Sequence, residues 1–372
     1  MQGILSGEEV AVARVEAESF ELRGYGRKEG KGAKEEREGK LTLSLEEAAF
    51  LLEVGKIVIK KEEEKESALT LEEFFKYALD IFPNFGTRYI VYKDLKERGY
   101  VVQPGGVDFW LYSRGTKPGA KPARHFIRIL SEREFLSVKD LEDLLILAHN
   151  MRKEIIIAVV DDESDVTYYR VKEARFEAIE TREEKEGEIR EGGGKGTVFL
   201  LGDKVLLRDA DLAETLYKSH FYGTLTKEGW LLLSLVEAAY LMKKGLLEMN
   251  FEQFIEYATS LEDDFMNKYA VYADLMERGL VVKTGFKFGS HFRVYKALNL
   301  KHSSDLIHVL PREHVFSMSE LARAIRLAHG VKKRMIFAQT FRKSLIKNGA
   351  QASQQTLEEQ KISYVDIGRM KL

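Results

Sequence analysis

Cysteine is absent from all 372 residues. That excludes disulfides, thiol nucleophiles, zinc fingers and iron–sulfur clusters together, while leaving the compartment open. Nor does any apolar run approach the roughly 20 residues needed to cross a bilayer. The opening MQGILSGEEVAVARV carries acids where a secretory signal needs a basic and then an apolar region. The expectation is therefore a cytoplasmic chain with no membrane partner. A marked excess of one charge is also missing: 58 Lys and Arg against 60 Asp and Glu give a net charge of −2, which alone argues against a polyanionic ligand.

That average conceals an asymmetry. Between Phe265 and Ala350 there are 16 Lys and Arg and only 5 Asp and Glu, so this segment carries +11 and the remainder −13. A split of this size points to a nucleic-acid face on one part of the chain, or to docking of an acidic part on a basic one. At 372 residues and 44% apolar content, two to four domains can each fill a core.

The order of motifs exposes a duplication. LTLSLEEAAFLLEVGK (Leu41 to Lys56), in which Ser44 and Glu47 suit a helix capping box, returns as WLLLSLVEAAYLMKKG 190 residues later. TRYIVYKDLKERGYVV returns as NKYAVYADLMERGLVV at a separation of 180, with Gly99 and Gly279 suited to close each helix. DLEDLLILAHNMRKEIIIAVV and ELARAIRLAHGVKKRMIFAQT are also 180 apart. Two copies follow, about 1–172 and 198–372, and the change of spacing implies that loops differ while elements persist.

Each copy reads as an N-terminal α/β half and a C-terminal α/β half, an α+β or mixed α/β architecture overall. The boundaries are 1–85 and 86–172 in the first copy, a charged, glycine-rich linker region at 173–197, then 198–264 and 265–372 in the second. Val10 to Arg23 reads as one or two strands, Gly24 to Lys40 as a solvated hairpin tip, and Lys343 to Lys361 as an insertion before the last strand.

The copies differ where chemistry could sit. In the second, FRVY ends a strand at Tyr295, His302 follows seven residues later, and Lys333 stands in VKKR before a strand. The first keeps Tyr112 and Lys153, but aligning HFIRIL with DLIHVL puts Pro122 opposite His302, with His125 three positions along. Proline cannot exchange a proton, so the first copy reads as a disarmed scaffold. Taken singly, Tyr295 could pack on the core, His302 could bind only water, and Lys333 could be a solvated flank; His308, His291, His329 and His149 have weaker claims, as strand or helix-end residues.

TGFKFGSHFRVY, KHSSDLIHVL and LARAIRLAHGVKKRMIFA resemble the catalytic repeat of archaeal tRNA-splicing endonucleases, in the two-repeat form whose first copy is degenerate. The resemblance covers nearly the whole chain and makes each C-terminal half a nuclease-like subdomain. It implies metal-independent cleavage of precursor tRNA at bulge-helix-bulge junctions, with no cofactor, leaving a 2′,3′-cyclic phosphate and a 5′-hydroxyl. By motif, Tyr295 would take the 2′-hydroxyl proton, His302 would protonate the leaving 5′-oxygen and Lys333 would stabilise the phosphorane, the base, acid and cation that in-line attack requires. An unperturbed phenol is mostly protonated at neutral pH, and Lys332, Lys333, Arg334 and Arg293 are the cations that could favour a phenolate. Lys332 and Arg334 are further RNA-binding candidates.

Arg326 and Arg369 match family positions that stack on a bulge base, serving the site of the other chain in a two-fold homodimer; Arg326 as an ordinary exposed helix residue stays open. In the first copy Asp161, Asp162, Glu163 and Asp165 crowd one turn. They could form a solvated hairpin or a weak Ca²⁺ or Mg²⁺ site without EF-hand spacing, while the resemblance suggests an acidic key docking on a basic groove of the partner. Two other functions remain: a non-catalytic RNA-binding or structural subunit, and a metal-dependent nuclease, which would need carboxylates clustered beside the basic site.

Overall fold

The computed structural model describes residues 1–28, 40–62, 67–116, 119–176, 195–296, 302–311, 313–342 and 360–372. The tip of the Gly24 to Lys40 loop, most of the 173–197 linker and the bulk of the Lys343 to Lys361 insertion lie outside the described residues. Two compact units emerge. One comprises Met1–Lys172 with Val315–Glu320 and Arg369–Leu372, the other Glu173–His314 with Leu321–Gly368.

In the first unit a sheet of five strands carries helices Leu45–Glu53 and Leu71–Ile81. The capping box forms as the sequence requires: the Ser44 hydroxyl accepts from the Glu47 N–H at 3.2 Å while the Glu47 carboxylate accepts from the Ser44 N–H at 3.0 Å. One expectation fails here. Glu9–Ala13 is a strand, but Arg14–Leu22 is a helix, because the mixed run RVEAESFEL has no sustained period of two after Ala13 and is rich in good helix formers.

The second unit repeats this half with strands Gly196–Leu201, Lys204–Leu207 and Leu231–Ser234 and helices Leu235–Lys243 and Phe251–Leu261, and its helix Ala210–His220 stands where Arg14–Leu22 does. The change of spacing from 190 to 180 has a physical location. In the first unit Val58–Lys61 pairs in parallel with Gln2–Leu5 over four residues; in the second only Leu247 and Glu248 pair, with Gly196 and Thr197, and the chain turns at once into the next helix at Asn250. The edge strand persists at half its length, four residues against two, and most of the difference falls in the connection that follows it.

Each C-terminal half is organised on two parallel strands. Asp305–Leu310 pairs in register with Arg334–Gln339, and His125–Ser131 pairs with Glu154–Val160. Both faces of these strands are covered, and their near-continuous burial matches their Ile- and Val-rich sequences. The Phe265–Glu277 helix lays buried Phe265, Val271, Tyr272 and Leu275 on this core. It ends at Arg278, with Gly279 in the left-handed region at φ +77°. Asp274 holds Arg278 at 2.7 Å and accepts the Tyr364 hydroxyl at 2.7 Å; Asp94, Arg98 and Tyr168 repeat this arrangement in the first unit. The Asp and Arg of the DLxxRG motif are therefore structural.

Candidate active site

The site of the second copy is built where three backbone segments meet. Strand Phe292–Tyr295 is hydrogen-bonded on one side to Val281–Thr284 and on the other to the start of Asp305–Leu310. Just beyond that ladder the Ser304 N–H donates to Val294 O at 2.9 Å, which ties the residue before Tyr295 to the segment that leaves His302. The third segment follows the Met318–Gly330 helix. Lys332 takes φ +56° to turn the chain, and the Lys333 ammonium then reaches back to Ser303 O at 2.5 Å. Tyr295, His302 and Lys333 thus lie at, or one residue from, a single hydrogen-bonded junction. His302 is exposed while Ser303 beside it is buried.

Positive charge dominates the junction. The Arg293 guanidinium lies 5.7 Å from the Tyr295 ring centroid, and its buried Nε has no hydrogen-bond partner among the described residues. Lys333 lies 5.5 Å from the Phe288 ring. Burial, and then the neighbouring Arg293, hold the Lys333 ammonium below the ordinary lysine range, against an opposing pull from Asp305.

One of the expected RNA contacts is differently employed. Arg334 is not a free cation: its Nε bonds the buried Asp305 carboxylate, and its Nη1 lies 3.8 Å from Asp366. Arg369 lines a cleft of about 600 Å³ in the first unit together with Lys93, Asp94, Glu97, Asp161 and Asp165. Arg326 and Lys332 are exposed. His291 and His308 form a separate pair with ring centroids 4.6 Å apart; His291 Nδ1 accepts from the Val309 N–H at 2.9 Å, and burial, with His308 beside it, depresses His291 to about 3.

The first copy reproduces the scaffold without the chemistry. The Lys153 ammonium donates to Ala123 O at 2.5 Å as Lys333 does to Ser303 O, and the Arg124 N–H donates to Leu111 O as Ser304 does to Val294 O. Pro122 then occupies the position of His302. His125 does not substitute, since it is buried and its Nε2 contacts Glu154 at 2.8 Å, at the register where the second copy has Asp305 and Arg334. Trp110 stands where Arg293 does.

In the turn expected to be an acidic key, Asp161 faces its own backbone: its Oδ1 accepts from the Glu163 N–H at 3.1 Å and the Asp165 N–H at 2.8 Å. Asp162, Glu163 and Asp165 are exposed, Asp162 reaching Arg133 at 2.7 Å. One feature the sequence reading passed over is the turn Phe286–Phe288, on which Lys333 rests. Aligning KTGFKFGSHFRVY with QPGGVDFWLY would have exposed its three extra residues.

Comparison with known proteins accounts for both halves of both copies. Residues 85–168 and 265–347 match the model of the tRNA intron endonuclease catalytic C-terminal domain, and residues 1–75 and 197–255 match the N-terminal domain of the same family. A tRNA-splicing endonuclease of Methanosarcina barkeri is 40% identical over 387 aligned positions spanning 100% of each chain. That of Methanococcoides burtonii is 39% identical, over 94% of this chain and 93% of the other; that of Haloarcula marismortui is 35% identical, over 91% and 95%. With each of its two domains matched twice and whole-length relatives at this identity, the chain belongs to the tRNA-intron endonuclease family.

Proposed function

We propose that the chain is an endoribonuclease that excises introns from precursor tRNA, cutting at bulge-helix-bulge junctions without a metal ion. Tyr295 takes the 2′-hydroxyl proton as that oxygen attacks the adjacent phosphorus. His302 protonates the departing 5′-oxygen, and Lys333 stabilises the charge that accumulates on the phosphorane. The products are a 2′,3′-cyclic phosphate and a 5′-hydroxyl. The observation that carries this reading is the shared junction of the three segments, with the same scaffold in the first copy keeping Tyr112 and Lys153 but holding Pro122 in place of the acid.

One intact triad per chain cuts one junction at a time, so the active species is a two-fold homodimer. Asp162, Glu163 and Asp165 of one chain dock on the basic copy of its partner, and Arg326 and Arg369 hold a bulge base for the partner's site. The test is His302→Ala on a defined precursor tRNA, with end-group analysis of the products. Binding should persist within a few-fold while cleavage falls by about 100-fold or more, and EDTA should leave the unsubstituted protein active. Normal cleavage by His302→Ala would overturn the assignment. Loss of activity in EDTA would replace the mechanism by a metal-dependent one.

A further inference from the structure

Among the described residues Phe286 is the most exposed large apolar side chain, at 90%. Exposure this complete leaves a phenyl ring in water with no packing return. It is not a consequence of a slack backbone. The turn that presents it is closed by backbone hydrogen bonds: the Phe288 N–H donates to Gly285 O at 2.8 Å, the Gly289 N–H to Phe286 O at 3.0 Å, and the Gly285 N–H to His291 O at 2.8 Å. The buried Ser290 hydroxyl donates to Phe292 O at 3.2 Å. Gly289, at φ +62°, lies so close to Leu327 that a Cβ would come within 2.9 Å of that side chain. The ring is therefore held out by a rigid platform braced on the helix that carries Arg326.

Three further observations define its surroundings. The platform adjoins the candidate active site, because Lys333 lies over the ring of Phe288 in the same turn and the turn feeds directly into the strand ending at Tyr295. Lys287 beside it is exposed and cationic. The disarmed copy has no counterpart: there the connection is the short turn Gly105–Asp108, on which Trp110 packs so closely that a Cβ on Gly105 would meet its Nε1 at 2.3 Å. An outward aromatic accompanies the intact triad and is absent from the copy without one.

We infer that Phe286 is a stacking platform for an unpaired nucleobase of the RNA strand bound at the Tyr295–His302–Lys333 site. A flat ring set among cations is what single-stranded nucleic acid recognises, and every base has a face that can stack on it whatever its sequence. The inference rests on the proposed endoribonuclease function and extends it. Phe286 acts there in positioning, separately from the arginines assigned to the bulge.

The test uses the full chain in a His302→Ala background, so that RNA binding is read without turnover, with Phe286→Ala, Phe286→Leu and Phe286→Trp added. The probe is a precursor tRNA carrying 2-aminopurine at one unpaired position next to each cleaved bond. Phe286→Ala and Phe286→Leu should each weaken binding about 5- to 100-fold and relieve the stacking quench at one probe position, while Phe286→Trp keeps both within about threefold. Leu keeps the apolar area without a π face. Leu binding as tightly as Phe, or Ala within twofold of the unsubstituted background, would overturn the inference, as would a change in sedimentation of Phe286→Ala, which would make the ring a protein contact. With His302 restored, wild-type cleavage of the same RNA isolates the two readings, since no cleavage there would defeat the proposed function itself.

Discussion

Arg334 stands in the most basic stretch of the chain, yet its guanidinium faces inward. Asp305 and Asp366 are each 2% exposed; the first bonds Arg334 Nε and the second lies 3.8 Å from Nη1. Arg334→Met keeps the length of the stem and removes the charge, leaving carboxylates in places water hardly reaches. Removing one partner of a buried pair costs about 3–5 kcal/mol, against about 0–1 for a surface pair. The Arg334 side chain is itself 34% exposed, so the lower end applies, about 3 kcal/mol, or a fall in melting temperature of roughly 6–12 °C for a unit of this size. The assay is thermal and urea unfolding of Arg334→Met, Asp305→Asn and the double variant. Because Asn keeps a partner for the Ser304 hydroxyl, which now bonds Asp305 at 2.7 Å, the double variant should recover at least about 1 kcal/mol relative to the sum of the singles. A single variant as stable as the wild type but weak in RNA binding would refute this account and return Arg334 to the phosphate contacts.

Three further outcomes are expected. His291, depressed to about 3 by burial, stays neutral in the folded state while an unfolded histidine takes up a proton below about 6.5. Its contribution to stability is therefore present above pH 6.5 and is lost as pH falls toward 3, at up to about 1.4 kcal/mol per pH unit; His291→Asn, whose Oδ1 can replace Nδ1 as acceptor for Val309, should flatten that slope in urea titrations at pH 4–7. In the acidic turn the roles divide: Asp161→Ala removes two backbone caps and should cost about 1 kcal/mol. Neutralising Asp162, Glu163 and Asp165 together should instead leave stability unchanged and yield monomers by sedimentation, and an unchanged dimer would remove the docking role.

The repeat and the elements of its C-terminal half were legible because their signals are local. A capping box at Ser44, a glycine closing each DLxxRG helix and apolar runs for doubly covered strands need no tertiary knowledge. Arg14–Leu22 was misread because one short strand at Glu9–Ala13 was extended across the point where the period changes. Arg334 was misread for a different reason. Its charge is visible in the sequence, but the burial of Asp305, 29 residues earlier, is a property of the sheet register. The alignment that set Pro122 against His302 was right in register, yet the fate of His125 was not legible, since its partner Glu154 lies on another strand.

That register carries a larger consequence. At the first rung of the two parallel strands one copy has His125 opposite Glu154 and the other Asp305 opposite Arg334, so the polar pair survives with its polarity reversed. The carboxylate has moved from the more exposed position to the buried one, and the cation has taken its place at the rim beside the junction. On the neighbouring strand the same comparison replaces Trp110, which packs on Gly105 and Gly106, by Arg293, whose buried Nε has no hydrogen-bond partner among the described residues. Both changes raise the positive charge next to Tyr295 without disturbing the backbone bonds that define the junction. The excess charge of Phe265 to Ala350 is thus partly built into the scaffold, and at Arg293 it stands at a position fixed by strand pairing, where a side chain loses little freedom on meeting a phosphate. A substrate field made this way survives substitution of any one exposed lysine, but not a shift of the Asp305–Leu310 strand by a single residue.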